Sequence, residues 1–341
     1  MTTVSLLEAG EEQPWDEYVL ENSGGTFFHL SDWKAVVEKA FGHRTYYLAA
    51  RRRNAIRGIL PLTHVKSALF GSSLVSNAFC VRGGIVSSSA DADTALRQYT
   101  FALAKSLNVD HIEFRSAAAQ SDWIVKGGIY ANFRRPIESD DDKNLKAIPR
   151  KQRAVLRKAI AADMRSEIDS DSSRLHDIYA RSVRRLGTPV FSRRYFQLLK
   201  ERFGKRADIV TVIASGKPVA SVLNFYFRDE VLPYYGGGLS EARRFGGNDF
   251  LYWEVMRRAA ERGYRVFDFG RSKIGTGSYD FKRNWGFEPE PLRYEYLPLG
   301  KGGLPDISPL NPKYRLAIEV WRRLPLPVTK LVGPVIVRGI G

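Results

Sequence analysis

Between Asp268 and Trp285 the chain reads DFGRSKIGTGSYDFKRNW, placing Arg271, Lys273, Tyr279 and Lys282 between a carboxylate and an indole. Cations so close together can clamp an anionic group or stabilise negative charge that develops in a reaction. Two familiar phosphate loops fail here on their own chemistry. A Walker loop needs GxxxxGK[ST], and GRSKIGT from Gly270 has no Lys after its second glycine. A dinucleotide fingerprint needs GxGxxG, and GTGSYD from Gly275 lacks the third glycine. The parallel βαβ setting that both require is also missing. A closer approach to a phosphate cradle lies upstream. Arg243, Arg244, Gly246, Gly247 and Asn248 lead into the helical run NDFLYWEV. Backbone N–H groups at such a helix start can point at an anion, and Asn248 also suits the capping position. Cys80 is the single cysteine, so no internal disulfide can form and no thiolate metal site is expected. Five histidines are scattered without ligand spacing, and no metal is assigned.

The elements around these residues follow from local pattern. VFDFGRS reads as a strand, and GTGSYDFKRNWGF as a turn followed by a short helix. On that helix Tyr279, Lys282 and Trp285 fall on one side, at i, i+3 and i+6. Arg271 and Lys273 leave the strand end nearby. The glycines let the chain turn from strand into helix.

The segment has a weaker echo earlier in the chain. FFHLSDWKAVVEKAFGHRTYYLAA from Phe27 parallels VFSRRYFQLLKERFGKRADIVTVIA from Val190, with Phe41-Gly-His-Arg against Phe203-Gly-Lys-Arg. Hairpins, glycine-bearing strands, helices and closing strands then follow in the same order in both halves, and Glu113 is placed like Asp268. The sequence therefore predicts an α+β fold built by tandem duplication, each copy a mostly antiparallel sheet flanked by helices. The order of elements resembles a GNAT-type acyltransferase fold, whose sheet splays open where its ligand enters. The first copy is expected over 1–145 and the second, carrying the site, over 146–306. Residues 307–341 are expected to pack back onto the first copy.

The length of 341 residues suits two domains, and 44% apolar residues are ample for packed cores. The net charge of +16 points to an anionic partner. Between Lys143 and Arg206, eighteen Lys and Arg stand against six Asp and Glu. Within that region IPRKQRAVLRKAIAADM reads as a helix with Pro149 near its start. Arg150, Arg153 and Arg157 share one face, while Val155, Leu156 and Ala159 can face a core. The face is either a solvated one or a ridge for tRNA or lipid phosphate. The N-terminus MTTVSLLEAGEEQPWDEY shows no signal-peptide pattern, and no apolar run is long enough to span a membrane. A cytoplasmic protein is expected, with contact at the inner face of the membrane as an option. Residues Pro298 to Pro312 read as a loop, then PKYRLAIEVWRRL as a helix. The apolar, proline-bearing tail LPLPVTKLVGPVIVRGIG could pack on the first domain or lie on a membrane surface.

The segment FDFGRSKIGTGSYDFKRNWGFEP, together with NDFLYWEVMRRA, resembles the C-terminal part of FemAB-like proteins. These are tandem-GNAT transferases, some of which move amino acids from aminoacyl-tRNA onto cell-wall precursors. The likeness is to the FemAB-related subgroup associated with exosortase/PEP-CTERM and exopolysaccharide systems. The resemblance implies that Lys282 sits near substrate phosphate and the reacting ester. It groups Asp268, Gly270, Arg271, Tyr279 and Trp285 along a substrate channel, with Lys273 and Tyr235 as further substrate-binding candidates. The long helical insertion that some FemAB proteins use for tRNA is absent, which puts direct tRNA use in question.

Acyl transfer needs an unprotonated nucleophile, a carbonyl held in line and a stabilised oxyanion. Lys282 is the candidate for the oxyanion or a phosphate, and Asp268 for accepting a proton or orienting the nucleophile. Glu254 either faces the cleft or pairs with an arginine. Three functions compete. One is a FemAB-like transfer of an acyl or aminoacyl group to an amine or hydroxyl of a phosphorylated, sugar-containing acceptor. Another is N-acylation from acyl-CoA, for which Arg243 to Asn248 fits the R-x-x-G-x part of the GNAT pyrophosphate loop. The third is a non-catalytic binding protein of an exopolysaccharide assembly. No tightly bound cofactor is expected; acyl-CoA and aminoacyl-tRNA are the co-substrate candidates. A lipid-linked sugar is an acceptor candidate, and DNA is not an expected partner.

Overall fold

The computed structural model describes residues 2–68, 70–115, 123–300 and 312–340. The chain begins with β1 (Thr3–Leu6), α1 (Glu12–Glu21), α2 (Asp32–Phe41), β2 (Arg44–Arg52) and β3 (Ala55–Ser67). It continues with β4 (Gly71–Ser76), β5 (Val86–Ser87), α3 (Ala90–Ser106), β6 (His111–Phe114) and β7 (Ile124–Lys126). Then come β8 (Tyr130–Pro136), α4 (Asp141–Ala147), α5 (Arg150–Ile160), β9 (Met164–Ile168), α6 (Ser173–Leu186) and α7 (Arg193–Phe203). The site-bearing part holds β10 (Ala207–Ala214), β11 (Lys217–Phe227), β12 (Glu230–Gly238), α8 (Ala242–Phe245) and α9 (Gly247–Glu261). After it run β13 (Val266–Asp268), β14 (Ser272–Lys273), α10 (Gly277–Asn284), β15 (Pro289–Pro291), β16 (Tyr294–Pro298), α11 (Pro312–Arg323) and α12 (Leu326–Arg338).

Tertiary contacts divide the chain into two units. One holds residues 1–127, 293–311 and 335–341; the other holds 128–292 and 312–334. Each is built on one mixed sheet with helices against it, so the α+β duplication read from the sequence is present. In the first unit the strand order is β1-β2-β3-β4-β6-β16-β7, and in the second β14-β8-β13-β12-β11-β10-β9. Both sheets are antiparallel except at one place, where β4 runs parallel to β6 and β12 parallel to β13. The matching hairpins even share turn chemistry. Arg53 and Asn54 both take positive φ between β2 and β3, as Ser215 and Gly216 do between β10 and β11, which is the turn whose twist suits a two-residue hairpin.

The boundaries lie elsewhere than the 145/146 division. β8 pairs with β13, β14 and β15, so the second sheet already begins at Tyr130. In return β16 pairs with β6 and β7 and completes the first sheet. Hydrophobic pattern marks a strand without naming its partner, which is why β8 reads as the end of the first copy. The tail expected to pack wholly on the first copy is divided, with residues 335–341 in the first unit. Residues 312–334 belong to the second unit: Trp321 Nε1 donates to Thr188 O at 3.2 Å, and Lys330 pairs with Asp177. Proline breaks the tail into two helices at Pro325, yet α12 carries Pro334 within it. Of the loop expected from Pro298 to Pro312, residues 301–311 lie outside the described residues.

In the second unit β11 is buried along almost its whole length because helices cover both faces of the sheet. Successive residues of a strand point to opposite faces, and the glycines of β12 show which helix lies where. A Cβ on Gly236 would meet Tyr252 Oη on α9 at 3.1 Å, whereas one on Gly237 would meet Ser182 Cβ on α6 at 2.9 Å. The α9 side holds the main core, with Val212, Val222, Val231, Met256, Phe267 and Trp285 buried together.

Candidate functional site

Strands β12 and β13 pair only at Glu230 with Val266 and Val231 with Phe267. Beyond that β12 runs on to Gly238 while β13 ends at Asp268, so the parallel strands part company. The segments that follow each strand, α8–α9 and the β13–α10 turn, supply the candidate residues.

After β12, Gly246 takes φ +68°, ending α8 and starting α9. Any Cβ there would also come 3.0 Å from Ala159 Cβ on α5, so the position favours glycine twice over. The first bond of α9 runs from Phe250 N–H to Gly246 O at 2.9 Å. The N–H groups of Gly247 and Asn248 precede it and have no acceptor within the helix. Beside them lies a cleft of about 470 Å³ lined by Val155 and Lys158 of α5, Arg243, Arg244, Gly246 and Phe281 of α10. Three cationic side chains and a helix start thus meet at one concavity, an arrangement suited to phosphate. Asn248 is not the N-cap that its sequence position suggested. It is the second residue of α9, and its side chain occupies the space over Gly238, where a Cβ would lie 2.2 Å from its Oδ1.

At the end of β13, Asp268 is 5% exposed and its Oδ1 accepts from Asn132 Nδ2 at 3.0 Å and Gly270 N–H at 2.8 Å. The carboxylate therefore shapes the turn that follows it. Lys282 is 9% exposed on α10 and donates from Nζ to Gly270 O at 2.9 Å and Arg271 O at 3.1 Å. Its ammonium also lies 5.5 Å from the centre of the Phe133 ring. Burial pushes its pKa down to about 7; the charge of Asp268 opposes that shift and Arg271 adds to it. Two of three N–H bonds of the charged form are used, leaving one for a ligand. Arg271 stacks its guanidinium 4.5 Å from the Tyr130 ring centre, and Lys273 is half-buried in β14.

The other candidates are dispersed. Tyr279 is half-buried and meets Phe133 edge-on at 5.2 Å. Trp285 is fully buried and lines no channel; its indole packs on Phe269 and Phe281 and donates from Nε1 to Asp249 Oδ1 at 2.9 Å. Tyr235 points to the α6 face, away from the α9 cleft. There its hydroxyl shares a 2.8 Å hydrogen bond with Tyr195 Oη, among Tyr179, Phe191 and Phe196. Glu254 pairs with Arg257 at 3.1 Å and accepts from Ser166 at 2.5 Å, which fixes it as an ion-paired residue. Arg153 is committed to the carbonyls of Ile148 and Lys146 and so leaves the basic face of α5.

Sequence reasoning missed Asn132, Lys158, Asp249 and Gln152. Gln152 Nε2 donates to Asp249 Oδ1 at 2.5 Å, so Asp249 receives two donors, while burial raises its pKa. Lys158 sits in the basic run already singled out, one residue from Arg157, and only the packing of α5 on α9 selects it. Asn132 gives no local signal because β8 lies far from β13 in sequence.

Residues 143–283 match the family described as acetyltransferase (GNAT) domain. No curated protein matches the sequence. Among solved structures the chain is similar to FemX, at 16% identity and a TM-score of 0.68, over 93% of this chain and 100% of that one. It is also similar to a tandem GNAT protein from the clavulanic acid biosynthesis pathway, at 12% identity and a TM-score of 0.57, over 87% of this chain and 98% of that one. A third is the C-terminal domain of a putative lysylphosphatidylglycerol synthetase from Agrobacterium fabrum, at 13% identity and a TM-score of 0.55, over 84% and 92%. The chain thus matches a GNAT acetyltransferase domain over residues 143–283 and has a two-sheet fold similar to that of tandem-GNAT structures. Among the described residues no helix is long and apolar enough to cross a membrane, and no cluster of metal-ligating side chains occurs.

Proposed function

We propose that the chain transfers an acyl or aminoacyl group to an amine or hydroxyl of a phosphorylated, sugar-containing acceptor. The observation that supports this best is the cationic cleft at the start of α9, inside the segment that matches the acetyltransferase family. The phosphate of the donor or acceptor rests against Lys158, Arg243, Arg244 and the start of α9 at Asn248. Lys282 then works at the β13–α10 turn. A lysine poised near pH 7 can take a proton from the attacking group and return it to the leaving group. Asp268 holds the turn that presents the two carbonyls to Lys282. Arg271 and Lys273 add positive charge beside it, and Tyr279 walls the turn.

Resemblance of the FDFGRSKIGTGSYDFKRNWGFEP segment to the FemAB-related subgroup supports an acceptor in cell-envelope or exopolysaccharide synthesis associated with exosortase/PEP-CTERM systems. The cleft favours a second reading for the donor, acyl-CoA, whose pyrophosphate suits three cations at a helix start. Native mass spectrometry of freshly purified protein separates the two: co-purified CoA supports the second, a nucleotide-sugar or sugar-lipid the first. Turnover assays with acyl-CoA and with aminoacyl-tRNA then decide the donor. If neither donor is turned over and Lys282→Ala leaves ligand binding unchanged, the site assignment fails.

A further inference from the structure

The last two helices of the chain leave an aliphatic face uncovered. On α11, Trp321 and Ile318 turn inward, Ile318 so closely that a Cβ on Gly187 would lie 2.4 Å from its Cγ2. On α12, Thr329 and Gly333 turn inward, and a Cβ on Gly333 would lie 2.9 Å from Val190 N. The outer faces carry Leu316 at 72% and Val320 at 51% exposure on α11, and Leu331 at 78% with Val328 and Val332 at 39% on α12. Their spacing, i and i+4 on one helix and i, i+3 and i+4 on the next, makes a stripe on each helix. Isolated exposed aliphatics are ordinary, but ordered rows on consecutive helices mark a surface that is covered in use.

Charge says what covers it. Residues 312–334 hold five Lys and Arg against a single Glu. Glu319 lies 3.8 Å from Arg315, Lys330 pairs with Asp177, and Arg322 donates to Leu186 O at 3.3 Å, while Arg323 stands exposed at the end of α11 beside the Leu316–Val320 stripe. A second copy of the chain would bring two positive segments together. An anionic bilayer satisfies both the aliphatic stripe and the excess positive charge. We infer that the outer face of α11 and α12 rests on an anionic lipid surface. The aliphatic side chains enter the boundary between headgroups and acyl chains, and Arg323 lies at phosphate depth. None of the cleft residues takes part, so the inference stands independently of the transferase reading.

The test is flotation of the full chain with vesicles of pure phosphatidylcholine and of equimolar phosphatidylcholine and phosphatidylglycerol. The chain is expected to float with the mixed vesicles and to stay behind with the neutral ones. Leu316→Gln with Leu331→Gln should lower the bound fraction about tenfold or more. Arg323→Gln should lower it about fivefold and flatten its salt dependence. All three positions are exposed, and circular dichroism checks that the variants fold. Absence of binding to either vesicle, equal binding to both, or full binding by the double leucine variant would overturn the inference. So would a dimer in analytical ultracentrifugation that disappears in the same variant, since the face would then belong to a second copy.

Discussion

Trp285 Nε1 reaches Asp249 Oδ1 at 2.9 Å and so ties the end of α10 to the first turn of α9. The bond joins the two segments that diverge after β12 and β13. Replacing Trp285 with Phe keeps most of the apolar volume but removes the donor. Asp249 then keeps only Gln152 as a side-chain partner in a buried setting. The expected loss is about 1–3 kcal/mol of stability, read as a lowered urea midpoint. An unchanged midpoint would mean that the bond contributes nothing.

Lys282→Ala should lower turnover by about a hundredfold or more if Lys282 exchanges protons with the reacting groups. In the wild type the rate should climb as pH passes about 7, where the amine becomes neutral and able to accept a proton. Lys282→Arg should lose that limb because a guanidinium stays protonated. A pH–rate profile with the same limb in both proteins would remove Lys282 from the proton transfer.

The same lysine predicts a pH dependence of stability. Its pKa falls from an ordinary 10.5 to about 7 on folding. Between those values the unfolded chain binds the proton and the folded chain does not, so stability rises with pH across that window. Below about 7 both states are charged and the full burial penalty remains. Lys282→Met removes this contribution. Comparing wild type with variant by denaturant titration from pH 6 to 10 should show the variant gaining most at the acid end.

Arg243→Ala with Arg244→Ala should weaken an anionic ligand of the α9 cleft about tenfold or more, through loss of charge-assisted hydrogen bonds. Thermal shift with CoA and with a nucleotide-sugar measures it. Equal stabilisation of parent and variant would move the anion site elsewhere.

Gly238→Ala probes the same cleft from below. The new Cβ would collide with Asn248, whose side chain has to move from the start of α9. The expected cost is about 1–3 kcal/mol, with a larger loss of ligand binding than of folding.

Much of the fold was legible because duplication repeats local patterns. The two helices closed by Gly42 and Gly204, the two hairpins and the VFDFG strand with its short helix all appear where periodicity placed them. The turn from Arg243 to Asn248 was legible as the start of a helix, because glycine before a helical run has a physical meaning, and α9 does begin at Gly247. What was hidden depends on distance in the sequence. Asn132 reaches Asp268 from 136 positions away, and Trp285 reaches Asp249 only because α10 folds over α9. Tyr235 illustrates a different limit: alternation along β12 says that neighbouring residues part, but only the helices packed on each side say which face holds the cleft.

The exchange of β8 and β16 sets a timetable for synthesis. Glu295 of β16 pairs with Phe114 of β6, about 180 residues earlier, a separation that makes closure slow. The first sheet therefore waits with an open edge while residues 128–292 of the second unit are synthesised, and only then receives β16. A fragment ending at residue 127 would keep that edge exposed and tend to aggregate, whereas the second unit starts with its own β8 already in hand.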